Sequence, residues 1–287
     1  MPNNTILITG ASTGFGRDTA ETLKRAGHVV LASMRDPQGE NREHANRLRE
    51  QGIDVIELNV TNNDSVERAV RSVSDKASCI DVLINNAGIA SAGVTEAFTS
   101  EQAQALFDVN VFGLLRVTRA VLPIMRRERR GLIINIGSIL GRVTFPFFGI
   151  YGASKFAVEA LSDSLRYELS QFGIEVVLVQ PSAYPTSMYS SMQRPADPKR
   201  VTEYGKVGEI PGAMFQYFTS FFQSPTAPNP HDVADAITKL LAQPKGSRAA
   251  RTVVGATFGS DKVNERVASV QADVVNALGL GHLANIV

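Results

Sequence analysis

Short apolar runs rich in β-branched residues alternate with longer stretches of helical period over the first two-thirds of the chain. Residues 5–9, 29–34, 53–58, 82–85, 132–137 and 175–180 have the length and composition of strands buried on both faces. Between them, residues 17–26, 65–74, 101–125 and 153–172 place their apolar side chains along one helical stripe. A helix over 231–242 and a strand over 251–255 extend the pattern. Strands that take turns with helices of this length predict an α/β fold: a Rossmann-type, doubly wound parallel sheet with helices on both faces and right-handed crossovers. No linker interrupts the pattern, so residues 1–287 are expected to form a single domain. Residues 184–230 differ in texture, with seven prolines and several aromatic side chains, and are expected to cover the substrate as an insertion. The stretch after Gly255 is partly amphipathic.

Composition narrows the partners. A net charge of +1 offers nothing to a nucleic-acid backbone beyond the run Arg126-Arg127-Glu128-Arg129-Arg130, which reads as a solvated helix C-terminus. Cys79 is the sole cysteine, so no disulfide can form within the chain and a reducing compartment is expected. The N-terminus lacks a basic segment followed by an apolar one, and no apolar run reaches the ~20 residues of a membrane span. A cytoplasmic protein is therefore expected. No His, Cys, Asp or Glu cluster has metal-ligand spacing, so no metal is expected.

The candidate chemistry begins directly after the first strand. Gly10, Gly14 and Gly16, with Ser12, Thr13 and Phe15 between them, join that strand to a helix. Glycines here permit a tight turn, close approach of backbone to a pyrophosphate, and close packing of helix on strand. The helix N-terminus then offers free N–H groups to the anion. Further along, Tyr151 and Lys155 stand four apart and share one helical face. A phenol titrates near about 10, and a neighbouring ammonium favours the phenolate, which suits a general acid/base. Ser138 follows a strand, at the edge where such sheets open into a ligand crevice.

Together these motifs resemble the short-chain dehydrogenase/reductase family, in its short-form branch with the Gly-x-x-x-Gly-x-Gly turn, over residues 5–186. The resemblance implies a catalytic tetrad of Asn110, Ser138, Tyr151 and Lys155. In it Tyr151 exchanges the substrate proton and Ser138 hydrogen-bonds the carbonyl oxygen. Lys155 binds the nicotinamide ribose and lowers the tyrosine pKa, while Asn110 supports a proton-relay water. Asn85-Asn86-Ala87-Gly88 corresponds to the sheet-stabilising segment beside the adenosine, Asn59 with Val60 to the adenine contact, and Thr186 to the carboxamide contact. Where the family usually has Pro-Gly, this chain has Pro181-Ser182, and serine would be strained there if the position required a positive φ.

Cofactor choice is read at the end of the second strand. Ser33 is taken to occupy the place of the acidic residue that selects NAD, and Arg35 can bind a 2′-phosphate, so NADP(H) is expected over NAD(H). Asp36 argues the other way, since it could pair with Arg35 or repel phosphate. Phe145, Phe147, Phe148, Met188, Tyr189 and Met192 suggest an apolar pocket for a hydrophobic alcohol or carbonyl compound. The segments 32–37 and 251–255 are similar to the hydroxysteroid and retinol dehydrogenase-like part of the family. A stripe of Met214, Phe215, Phe218 and Phe222 could equally pack on the core or on another subunit, and a homodimer or homotetramer is implied by the family. Two other readings stay open: a regulator that senses nicotinamide nucleotide without turnover, and a sugar-nucleotide epimerase.

Overall fold

The computed structural model describes residues 3–76 and 79–287. Among the described residues, β1 (Thr5–Ile8), β2 (Val29–Met34), β3 (Asp54–Glu57), β4 (Val82–Asn85), β5 (Gly131–Ile136), β6 (Ile174–Pro181) and β7 (Arg251–Val254) form one sheet. Its order is β3-β2-β1-β4-β5-β6-β7, and every pair is parallel. Period-two alternation explains the layering. Ile6 and Ile8 point to a core built with α1 (Gly14–Arg25), α2 (Arg42–Glu50) and α10 (His231–Ala242). Leu7 points the other way, against α3 (Asn63–Lys76), α5 (Leu114–Glu128) and α6 (Gly149–Ser170). With both faces covered, strands this apolar can sit only inside such a sandwich.

Three differences from the sequence pattern have local causes. Helix α2 was not anticipated: Ala45 and Leu48 are its buried residues, a three-residue spacing too sparse to stand out among charges. The expected single helix over 101–125 is α4 (Ser100–Phe107) and α5, separated by a π-turn over Asp108–Gly113. The tail after Gly255 is largely helix α11 (Ser260–Ala277). Residues 184–230 contain α7 (Ser187–Ser190), α8 (Pro198–Glu203) and α9 (Lys206–Phe222). The basic run 126–130 ends α5, with Arg129 in a left-handed cap.

The strand order reverses at β1, which pairs with β2 on one side and β4 on the other. Such a switch point leaves a crevice beyond the C-terminal strand ends.

Candidate active site

Side chains pin the crevice together. The Thr9 hydroxyl accepts bonds from the Asn86 and Ala87 N–H groups at 3.0 and 3.1 Å, and the Asn86 amide donates to the Thr9 and Gly10 carbonyls, both at 2.9 Å. The turns after β1 and β4 therefore touch. Gly10 adopts φ +67°, and a Cβ on it would lie 2.8 Å from the Ala87 Cα. A Cβ on Gly16 would collide with the Asn86 amide and come within 2.5 Å of the Gly10 carbonyl oxygen. Glycine is required at both positions on steric grounds.

Above this junction lies a cleft of about 320 Å³. It is lined by Gly10, Ser12, Thr13, Gly14 and Phe15 from the first turn, and by Arg35, Asn59, Val60, Asn86, Ala87, Gly88 and Thr186 from later elements. Gly16 packs beneath it, and Pro181 is buried at the end of β6, paired with Val254. Ser182 does not adopt a positive φ, so serine is unstrained there.

At the end of β2 the Ser33 side chain faces away from the cleft. That residue is fully buried, and its hydroxyl donates to the Ile8 carbonyl at 3.0 Å. Met34 and Arg35 line the cleft instead. The alternation of the strand turns Ser33 into the sheet and its successor toward the crevice. Asp36 is occupied: its carboxylate accepts the Gly39 and Glu40 N–H groups at 3.0 and 2.8 Å. Asn59 is similarly engaged, its Oδ1 accepting from both the Thr61 N–H and the Thr61 hydroxyl, which leaves the donating NH₂ as its remaining capacity.

Met188 lines this cleft and also a second, apolar cavity of about 80 Å³. Ser138 and Tyr151 supply polar groups to the second cavity, while Phe145, Phe148, Phe218 and Phe258 supply aromatic wall. The Ser138 hydroxyl accepts the Leu140 N–H at 3.1 Å and shares the cavity wall with the Tyr151 phenol. Lys155, one turn along α6, donates from Nζ to the Ile136 carbonyl at 2.9 Å and lies 5.6 Å from the centroid of the Tyr151 ring. Asn110 sits in the π-turn. Its amide donates to the Ile89 carbonyl at 2.9 Å and to the Ser154 hydroxyl at 3.1 Å, and its Oδ1 accepts the Ile89 N–H at 2.9 Å. The four tetrad positions thus converge on one end of the sheet.

The short chain dehydrogenase family model matches residues 4–197. The chain belongs to this family. As a short-chain dehydrogenase it is an oxidoreductase that acts on CH–OH and C=O groups with a nicotinamide dinucleotide. It is 37% identical to the 3-ketodihydrosphingosine reductase of Bacteroides thetaiotaomicron, over 85% of each chain. To retinol dehydrogenase 8 of Bos taurus it is 31% identical, over 86% of this chain and 81% of that protein. Actinorhodin polyketide ketoreductase, solved with NADPH, superposes with a TM-score of 0.74 at 27% identity, over 90% of this dehydrogenase and 97% of that chain.

Electrostatics in the cavity depart from the simple expectation for a tyrosine beside a lysine. Burial pushes the Tyr151 phenol up to about 12, opposed by the Ser138 hydroxyl. Burial likewise pulls Lys155 down to about 8, opposed by the Glu159 carboxylate. The phenol is therefore not lowered in the ligand-free dehydrogenase, because desolvation of two buried groups outweighs their attraction. Sequence reasoning missed Phe258, a cavity-lining residue in the turn after β7 that adopts φ +47°. Its sole signal is an aromatic residue between Gly255 and Gly259. Among the described residues no group of three His, Cys, Asp or Glu side chains is arranged to hold a metal ion, and no helix is long and apolar enough to cross a membrane.

Proposed function

We propose that this dehydrogenase interconverts a hydrophobic ketone and its alcohol with NADP(H), using Tyr151 as the general acid and base. The observation that carries the reading is the Tyr151 phenol on the wall of an apolar cavity that adjoins the dinucleotide cleft at Met188. The glycine cradle fits a pyrophosphate: Gly10 and Gly16 let the turn close on Ala87 and Asn86, and the Cβ position of Gly14, on the cleft wall, meets only the Thr186 Cβ at 3.8 Å. Gly14, Thr13 and Ser12 would hold the phosphates, Arg35 the 2′-phosphate, and Asn86 to Gly88 the adenosine side. When bound, the nicotinamide accepts or supplies the hydride.

In the reducing direction, Ser138 donates a hydrogen bond to the carbonyl oxygen and Tyr151 Oη delivers the proton to the same atom. Lys155, with its ammonium below the ring, stabilises the phenolate left behind. Asn110 positions Ile89 and Ser154 and so holds the floor of the site. In the oxidising direction the phenolate takes the hydroxyl proton back.

NADP(H) is favoured by charge: Arg35 is the one cation and Glu40 the one carboxylate among the described residues that line the cleft. The Asp36 carboxylate is held by the Gly39 and Glu40 N–H groups of its own turn and makes no ion pair with that cation. The ketoreductase relative solved with NADPH and the 3-ketodihydrosphingosine reductase relative point the same way, toward carbonyl reduction.

The test is NADPH and NADH oxidation, followed by absorbance, with a panel of hydrophobic ketones and aldehydes. Turnover with NADPH is expected, falling by about 10²- to 10⁴-fold in Tyr151→Phe, with NADPH binding retained by fluorescence titration. Unchanged turnover in that variant would overturn the assignment of Tyr151. Binding of cofactor without turnover of any substrate would favour the nucleotide-sensing reading.

A further inference from the structure

Beyond the tetrad, the stripe of α6 that bears Lys155 continues into two acids, Glu159 and Asp163, each four residues on. Glu159 is buried, its side chain 4% exposed, and two hydrogen-bond donors and a further guanidinium, in ion-pair contact without a hydrogen bond, converge on it. Gln180 Nε2 reaches it at 2.5 Å from β6, Arg251 Nε at 2.8 Å from β7, and Arg142 Nη2 at 2.9 Å from just beyond the turn Ile139–Gly141. Asp163 accepts Arg251 Nη2 at 2.5 Å and lies 3.9 Å from Arg142. Asn264 of α11 braces the far side, donating to Gln180 Oε1 at 2.7 Å. Three cations and two carboxylates are thereby packed beneath the reaction cavity.

Stability is a poor reason for such a cluster. Desolvating five charges offsets most of their attraction, and apolar side chains of the same volume would serve a core as well. Its placement suggests another reason. Arg142 follows Ser138 by four residues, Lys155 precedes Glu159 by four, and Arg251 and Asn264 belong to the C-terminal part that lies past the family match. Glu159 is thus the point where the serine turn, the tyrosine–lysine helix and the last strand meet. The groups that face Lys155 are the Tyr151 ring and Glu159 from its own helix and the Ile136 carbonyl from β5. Facing Glu159 in turn are Arg142, Gln180 and Arg251.

We propose that Glu159 is a positioning residue for the reaction: its carboxylate, gripped between Arg142 and Arg251, supports the Lys155 ammonium beneath Tyr151 and ties the Ser138 turn to α6. The inference rests on the reading of Tyr151 and Lys155 given above. Burial favours the neutral amine, and Glu159 is the charge that opposes it. Removing that charge lowers the pH at which the lysine loses its proton.

The experiment is the pH profile of kcat/KM for NADPH-dependent ketone reduction in the intact protein and four variants. In Glu159→Gln the alkaline limb is expected about one pH unit lower. Glu159→Asp, which keeps the charge, should restore most of the limb. Asp163→Asn, one helical turn further from the lysine, should displace the limb in the same direction by a few tenths of a unit. A Glu159→Gln limb that coincides with the wild-type limb overturns the proposal, whatever the level of activity. If circular dichroism shows that Glu159→Gln does not fold, an unmoved limb in Asp163→Asn overturns it instead. Lys155→Arg is the control, since a guanidinium does not titrate in this range. An alkaline limb that persists in Lys155→Arg places the fault in the assignment of Lys155, not in that of Glu159.

Discussion

Replacing Asn110 with leucine isolates what the π-turn does for the site. The side chain is 2% exposed and joins three partners: the Ile89 carbonyl, the Ile89 N–H and the Ser154 hydroxyl. Leucine occupies a similar volume, so the loss is one of hydrogen bonding with little cavity. Two Ile89 backbone groups lose their partner, each at about 1–2 kcal/mol where water enters poorly. A total of about 2–4 kcal/mol follows, or a fall in Tm of about 3–7 °C for a domain of this size. Ser154→Ala alone should cost about 1 kcal/mol, because its hydroxyl also donates to the Tyr151 carbonyl at 2.7 Å. The two substitutions share a bond, so the double variant should fall short of the sum by at least about 0.5 kcal/mol. Urea unfolding followed by circular dichroism gives each value, provided the slope with denaturant is unchanged. Gly88 and Ile89 line the cleft, so NADPH affinity should weaken alongside stability. A loss below about 1 kcal/mol with unaltered NADPH affinity would refute the claim that Asn110 holds this floor in place.

Other outcomes follow from the same geometry. Arg35→Ala should weaken NADPH binding about ten- to a hundredfold and leave NADH binding nearly unchanged, as fluorescence titration would show, whereas equal losses would remove Arg35 from the phosphate site. In the free enzyme, kcat/KM should decline as pH rises through about 8, where Lys155 loses its proton. Its depressed pKa keeps the required ammonium intact below that value, and a flat profile to pH 10 would contradict it. Phe258→Gly relieves a left-handed phenylalanine but removes its edge-on contact with Phe145, at 5.3 Å between centroids. These terms oppose each other at about 1 kcal/mol each, so stability should barely change while KM for a bulky ketone rises severalfold. A KM unaffected by the change would exclude Phe258 from the substrate wall.

Strands were legible from the chain because burial on both faces leaves an unbroken apolar run, as Ile6, Leu7 and Ile8 illustrate. The glycine turn was legible because no other residue meets its steric demand. The inward turn of the Ser33 side chain was not legible, since the run of residues 30–34 is buried throughout and gives no clue to which side chain faces the crevice. Helix α2 escaped notice because two buried residues leave almost no periodicity. The pairing of Glu159 with Arg251 was not legible, because the two lie 92 positions apart in sequence and meet only once β6 and β7 pair. The depressed Lys155 and elevated Tyr151 were equally hidden, because desolvation depends on what surrounds a group and not on its neighbour four residues away.

The wide turn over Asp108–Gly113 also separates two phases of one long rod. A π-turn carries one residue more than the α ladder needs, so the outward faces of α4 and α5 are offset by roughly a quarter-turn. Without that extra residue the helix would be straighter and better bonded, with its asparagine turned away from Ile89. Deleting one residue between 108 and 113 should reproduce that form, gaining helical continuity and losing the anchor beneath the cleft. Homologous chains that differ by a single-residue gap here should accordingly differ in whether they turn over substrate, however well the rest of their sequence aligns.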